Sequence, residues 1–289
     1  MDATILGAGL INGLLVGGVY TLVAVGLTLI YGVLHIINFA HGSLLMVAMF
    51  AVYFLLTKWG VDPYVALPFM TLIMFGVGYV LYRGLIGRFS HGKDENILLI
   101  TLGLSIVLEN AALMFFKGDT RTITVPYSDT MIELGPTLVP LPKLISALVA
   151  IALCGVLALL IKKTDLGRAI RAVAKERHGA RLVGIDVEKI FAVSFGIGLA
   201  TLGAAACLLM PMFYVAPTVG NVFVIVAFTI VVLGGMGSFL GALIGGLIIG
   251  VTESFGGLFL GEALGQIGIS LIFILILLFR PTGLLGAKA

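Results

Sequence analysis

Charge is scarce in this sequence. Asp, Glu, Lys and Arg together make up 11% of its 289 residues, against about 25% in an ordinary soluble domain. A chain so poor in charge cannot cover its apolar residues with a water-facing surface free of large patches. Cysteine is also rare: Cys154 and Cys207 each lie inside an apolar run, where a thiol behaves as a small hydrophobe, so a disulfide framework and zinc-ligand spacing are both excluded. Catalytic signatures are absent as well. The four histidines (His35, His41, His91, His178) are scattered, and HExxH, GxSxG and a P-loop GK[ST] do not occur, which leaves no site for an enzyme and no place to hydrolyse a nucleotide. Any ATP-driven step would need another polypeptide. The start, Met1 to Thr4, carries no basic residue of the kind that opens a cleaved signal peptide, and the apolar run behind it is too long for one, so that run is expected to stay as the first span.

What remains is apolar. Hydrophobic residues make up 60% of the chain and the mean hydropathy is +1.21, which places it in a bilayer. With about 20 apolar residues needed per crossing, the sequence predicts an all-α polytopic transmembrane bundle in a single domain over 1–289, with about eight to nine spans. They fall near 5–29, 43–56, 64–82, 97–116, 144–161, 190–210, 222–233, 240–255 and 266–279. Several are short or broken by glycine, so discontinuous helices are expected among them.

The basic residues set an orientation. Arg83, Arg88 and Lys93 lie between the third and fourth spans, and Lys162, Lys163, Arg168, Arg171, Lys175, Arg177, Arg181 and Lys189 between the fifth and sixth. Lys and Arg favour cytoplasmic loops, so the loop 162–189 is expected inside, together with Arg280 and Lys288 if nine spans are counted. The loops 117–142, with Asp119, Asp129 and Glu133, and 211–221 then face outward, as does Asp2; eight spans would reverse that end. Basic clusters gathered in two short loops, without interleaved aromatics, do not describe a nucleic-acid surface.

The stretch 164–186 (TDLGRAIRAVAKERHGARLVGID) is the most informative soluble segment. Thr164 or Asp165 can cap a helix whose apolar residues Leu166, Ile170, Val173 and Ala174 recur at helical steps, with Arg168, Arg171 and Lys175 on another face. Gly179 is expected to break it, and residues 180–184 to begin a second turn. Three readings are open: a solvated positive-inside loop, a helix lying on lipid headgroups, or a docking helix for a cytosolic partner. In the last, apolar residues seat in the partner, Arg168 and Arg171 pair with its acids, and the small Gly167, Ala169 and Ala172 permit close approach.

Four stretches carry a family resemblance: residues 26–43 (GLTLIYGVLHIINFAHGS), the loop 164–185, residues 233–242 (LGGMGSFLGA) and residues 280–286 (RPTGLLG). Through them the chain resembles the branched-chain amino-acid ABC permeases, and among these the H-type subunit of the leucine/isoleucine/valine importers, along most of its length. The resemblance implies a multi-pass protein of the bacterial inner membrane with no cofactor of its own. It implies ATP and Mg held by two cytosolic ATPase subunits, a homologous M-type permease completing a heterodimer, and a periplasmic substrate-binding protein. The coupling surface it implies comprises Thr164, Asp165, Leu166, Gly167, Arg168, Ile170, Arg171, Ala172, Arg181 and Gly184. Urea, short amides or other amino acids are alternative cargoes. An ion-coupled secondary transporter is the alternative of another class, with Glu109 and Glu253 as its acids.

Polar residues within the spans are the remaining signal. His35, Asn38, His41 and Ser43 sit between two apolar segments. At a cytoplasmic turn they would need no special account; in a discontinuous second span they would face a cavity, and Asn38 and His41 are the candidates for lining it. Glu109 and Asn110 sit inside the fourth span, and Glu253 near the end of the eighth. A charge at the bilayer centre costs about 2.5–3.5 kcal/mol on insertion scales, so each must face protein or water, either as interhelical glue or on a substrate path. The glycine-rich run 234–250 is expected to serve close packing: Gly234 and Gly235 in a turn that reaches Ser238, then Gly237/Gly241 and Gly241/Gly245 as small-xxx-small pairs.

Overall fold

A computed structural model describes residues 3–89, 94–135, 137–279 and 282–285. Asp2, His91, Lys93, Arg280 and Lys288 lie outside the described residues. The long helices are α1 (Ala3–Leu34), α2 (His41–Trp59), α3 (Pro63–Leu81), α5 (Asp94–Phe116), α6 (Leu141–Lys163), α9 (Val187–Leu209), α10 (Val219–Gly234), α11 (Phe239–Leu260) and α12 (Glu262–Phe279). Shorter pieces join them: a π-helical turn Tyr82–Ile86 and α4 (Gly87–Phe89) after α3, and α7 (Asp165–Lys175) and α8 (Arg177–Leu182) between α6 and α9. Among the described residues seven helices are long and apolar enough to cross a membrane, and the apolar Val219–Gly234 and Ile267–Phe279 are shorter. The chain is a polytopic helical bundle. Among the described residues it departs from all-α in a small antiparallel hairpin in the loop 117–142, β1 (Met131–Leu134) against β2 (Thr137–Pro140), and in an isolated bridge between Arg121 and Val215.

The ends of the bundle can be told apart by charge. Lys162 and Lys163 close α6, Arg83 and Arg88 follow α3, and Arg177 donates to the Leu34 carbonyl that ends α1. These groups share a basic end with the start of α9, where the Tyr82 ring meets Phe191 edge-on. At the other end Tyr64 of α3 donates to the Pro142 carbonyl of α6 at 2.9 Å, and Ser146 of α6 donates to the Leu208 carbonyl of α9 at 2.9 Å. Tyr127 donates there to the carboxylate of Asp62 at 2.6 Å, while the other Asp62 oxygen caps α3 at Tyr64 N. Partial burial, and then that carboxylate, hold the Tyr127 phenol above the ordinary tyrosine range.

Two helices begin inside the bundle rather than at an end. After Leu34 the chain turns at His35, in the left-handed region at φ 58°, and runs without helix until α2 starts at His41. The His41 ring bonds the Val23 carbonyl at 3.0 Å. Val23 lies roughly 16 Å before the end of α1 at about 1.5 Å per residue, so the segment 35–40 re-enters from the basic end and α2 starts well inside it. The shorter α10 mirrors this. From Leu209, at the far end of α9, residues 210–218 fold back inward, with Val215 bridged to Arg121, and α10 runs from the middle to the basic end. The two helix starts meet: a Cβ on Gly42 would collide with the Gly220 carbonyl, and one on Gly220 with the Gly42 backbone.

The rest of the bundle obeys the same relation. α1 lies along α11, with Gly13 and Gly17 against Gly250 and Gly246, as α9 lies along α3, with Gly196 and Gly203 against Phe75 and Met70. The packing of α1 on α11 is thus matched by that of α9 on α3, and α2 and α10, the helices that begin inside the bundle, meet between these pairs. In lipid, where hydrocarbon tails are as apolar as leucine, such small-residue contacts supply much of what holds helices together.

Candidate functional site

The site grows from the re-entrant segment. Asn38 and His41 are fully buried. The Asn38 side-chain oxygen accepts from Ala40 N at 3.1 Å and so shapes the turn into α2. A carbonyl only accepts, so His41 presents a protonated Nε2 to Val23. Its Nδ1 and the Asn38 Nδ2 are buried without a protein partner among the described residues. Buried polar groups without partners are costly and infrequent. Here two of them sit beside two helix starts, each bringing orphan backbone N–H groups and the positive end of a helix dipole to the same depth.

Beside this pair of helix starts, α5 and α10 present a polar strip. Ser43 of α2 shares a hydrogen bond with Ser105 of α5 at 2.7 Å, Phe39 N donates to Thr101 at 3.3 Å, and Asn221 in the first turn of α10 donates to Glu109 at 3.0 Å. The Phe39 ring stacks on Phe228 of α10. Asn221 is exposed and Glu109 half-buried, so this chain does not cover a carboxylate carried in mid-helix. Asn110 is also exposed, but its amide donates to the Ile106 carbonyl of its own helix at 2.8 Å, on the side away from Asn221's partner. The structure therefore brings Asn38, His41 and Glu109 around one region and leaves Asn110 on the rim of α5.

The second feature is the α7–α8 pair at the basic end. Thr164 caps α7, accepting from Gly167 N at 3.0 Å. Two expectations are corrected. The break falls at Glu176, extended at φ −156°, which caps α8 by accepting from His178 N at 2.9 Å; Gly179 lies inside α8. The apolar stripe Gly167, Ile170 and Val173 faces inward and is buried against this chain's own α1, α6 and α9, because the helix is tied to its own bundle by its cations. Arg171 donates to the Ile161 carbonyl near the end of α6 and Arg177 to the Leu34 carbonyl at the end of α1, while Arg168 pairs with Asp165. The outward face is Asp165, Arg168, Arg171, Ala172 and Arg181, with Leu166 half-covered; Gly184, at φ 84°, ends the unit in a left-handed turn.

Sequence reading missed the tip. Leu182 and Val183 stand 76% and 75% exposed between Arg181 and Gly184, a pair of bare apolar side chains at the end of α8. The sequence reading placed them only within a second turn over 180–184. Arg177 and Asn221 were also missed as partners of Leu34 and Glu109, because each contact closes a long sequence separation that no local pattern marks.

The glycine-rich run forms the α10–α11 turn. Gly235 and Gly237 take φ of 97° and 85°, Ser238 caps α11 by accepting from Gly241 N at 3.1 Å, and Gly234 and Gly241 touch backbone to backbone. Gly237 therefore belongs to the turn and not to a helical pair, while Gly245 packs on the Ile230 carbonyl. Leu284 and Leu285 donate their backbone N–H groups to the Leu233 and Gly234 carbonyls, so the stretch after α12 closes the end of α10.

The family described as the branched-chain amino acid transport system / permease component matches residues 9–279. The high-affinity branched-chain amino acid transport system permease protein BraD of Pseudomonas aeruginosa is 33% identical over 96% of this chain and 94% of its own length. The corresponding permease protein LivH of Escherichia coli is 31% identical over 95% and 94%. A probable branched-chain amino acid transport permease protein LivH of Methanocaldococcus jannaschii is 32% identical over 92% and 88%. No solved structure matches.

Proposed function

The chain belongs to the family of branched-chain amino acid transport system permease components, and from that premise we propose that it is one membrane half of an ATP-driven ABC importer that carries leucine, isoleucine and valine inward by alternating access. The single observation that carries the reading is the pair of helix starts meeting inside the bundle at Gly42 and Gly220 beside Asn38, His41 and the Glu109–Asn221 strip. Converging helix N-termini at mid-depth are suited to an anionic group such as an α-carboxylate. The apolar surroundings suit an aliphatic side chain.

The basic end faces the cytoplasm, by the preference of Lys and Arg for that side, and the loop 117–142 faces the periplasm, where a binding protein delivers cargo; the stretch 211–221, expected from sequence as a second outer loop, instead turns inward to the start of α10 at Val219. The membrane is the bacterial inner membrane. The uncovered strip on α5 and α10 is completed by a homologous M-type permease, since a carboxylate at membrane depth must face protein or water. Two cytosolic ATPase subunits, holding ATP and Mg, close on nucleotide. The α7–α8 units receive that motion: the outward polar face and the Leu182–Val183 tip meet the ATPase, and Arg177 carries the displacement to the end of α1, where the re-entrant segment begins.

The test is affinity purification of the tagged permease from its native membrane, comparing wild type with Leu182→Asp/Val183→Asp. ATPase subunits and a sister permease copurify with the wild type, and the variant keeps the sister while losing the ATPase. A variant that retains the ATPase refutes the docking tip. A wild type that brings down no ATPase under mild extraction refutes the importer reading itself.

A further inference from the structure

On the face of the bundle where α2 and α3 part, a groove of about 570 Å³ runs inward from the end opposite the basic one. α3 lies along α9 rather than along α2, and α2 carries the small Ala48 and Ala51 on the facing stripe between Leu44 and Leu55, so the two helices leave a slot that neither fills. Ile73 and Val77 of α3 form the opposite wall, and the lining side chains are apolar except at the mouth. There α2 ends in Lys58 and Trp59. Trp59 is 77% exposed, and Lys58 is exposed beside it. Lys58 makes no ion pair among the described residues, and Asp62, the next acid along the chain, has one oxygen on Tyr127 and the other on Tyr64 N.

Trp and Lys at the end of an apolar helix mark the level of the lipid headgroups, where the ring sits at the interface and the cation reaches the phosphates. Within the bilayer only hydrocarbon is at hand to fill an apolar slot, and an unfilled one forfeits the dispersion contacts of its walls. The dimensions suit a single chain: from Leu44 to Lys58 α2 rises roughly 21 Å at about 1.5 Å per residue, against roughly 15 Å of hydrocarbon in one leaflet, half of about 30 Å. All lipid tails are alike in being apolar, so the headgroup is what separates a site from the surrounding annulus, and among the described residues the only charged side chain lining this groove is the cation of Lys58. We propose that the groove between α2 and α3 binds an anionic phospholipid of the phosphatidylglycerol type from the leaflet opposite the basic end, with its phosphate on Lys58, its glycerol beside Trp59 and one acyl chain laid over Ala51 and Ala48 to Leu44. The groove ends one residue from Ser43 of the polar strip, so the bound chain braces the first turn of α2. The site depends on the chain spanning a membrane and not on what it carries.

Trp59 is the sole tryptophan of this chain and stands at the mouth, so its emission reports on the groove. The test places full-length permease, purified from its native membrane with the chains that accompany it, in phosphatidylcholine bilayers. Into these it titrates phosphatidylglycerol or phosphatidylcholine brominated along the acyl chains, which quenches nearby tryptophan. Subtracting a Trp59→Phe preparation removes the tryptophans of the accompanying chains. Phosphatidylglycerol is expected to quench Trp59 at an about fivefold lower mole fraction than phosphatidylcholine, the worth of one basic side chain beside an anionic headgroup. Lys58→Gln is expected to erase that preference and leave quenching by phosphatidylcholine unchanged. Val47→Phe, which fills the groove from its 37% exposed edge, is expected to erase it as well with Lys58 in place; should that variant fail to assemble, Ala51→Leu narrows the same slot. Equal quenching by the two lipids in the wild type describes an ordinary annulus and overturns the proposal. So does a preference that survives Lys58→Gln, or one that survives filling of the groove, which would make Lys58 a collector of headgroups with no use for the slot. Trp59 emission that neither lipid quenches would put a protein over this face and sink the lipid site. Leucine uptake is scored separately and bears on the importer alone.

Discussion

At the scale of single residues the account turns on close approach and on charge at depth. Gly42 and Gly220 touch backbone to backbone, so Gly42→Val forces the two helix starts apart. The expected loss is about 1–3 kcal/mol, as for an overpacked interior, seen as a lowered melting temperature in detergent. Gly103→Ala on α5, where a Cβ meets nothing within 4 Å, should leave the melt unchanged and serves as the control. Glu109 is different in kind. It accepts from Asn221 on a face the chain leaves open, so Glu109→Ala is expected to cut the initial rate of leucine uptake about tenfold, roughly one hydrogen bond to a charged group. The complex should still assemble, and equal uptake in both proteins would remove Glu109 from the pathway. The need for a partner at Glu109 was legible in the sequence, because a carboxylate within an apolar run is costly wherever it lies. Asn221 as that partner was not, since a contact between the fourth and seventh spans leaves no trace in local pattern.

At the scale of elements, the short pieces decide the behaviour. The segment 35–40 looked in sequence like either a loop or a broken span. The turn at His35 and the bond from His41 to Val23 decide for the latter, and the reason lies in tertiary contacts that periodicity does not encode. α7 and α8 show the opposite limit: helix, N-cap and basic face were legible, but the direction of the apolar stripe was not, because amphipathicity says which residues share a face and not which body they are buried against. The same contacts make α7–α8 a lever on two helices. Arg177→Gln removes the cation from the Leu34 carbonyl and is expected to leave ATPase copurification intact while lowering the number of leucine molecules moved per ATP severalfold. Measured together, hydrolysis and uptake that fall in step would instead mark Arg177 as a docking residue.

At the scale of the whole molecule, α1 packed on α11 and α9 packed on α3 hold α2 and α10 so that their starts come together inside the bundle. Composition and hydropathy alone gave the class, the nine apolar segments and the asymmetry of charge. That pairing stayed hidden because it lies in which helices touch, not in any run of matching residues. On the proposed reading, the two helix starts between these packed pairs form a joint that rocking would open to one end at a time. That motion needs an energy source at the basic end, and this is the claim on which the account stands or falls. The deciding measurement is leucine uptake into proteoliposomes holding the purified complex and the binding protein, with ATP inside or outside and with or without an imposed proton or sodium gradient. The account predicts accumulation only when ATP is on the side of the ATPase subunits, with no dependence on the gradient. Accumulation driven by the gradient in the absence of ATP would contradict it.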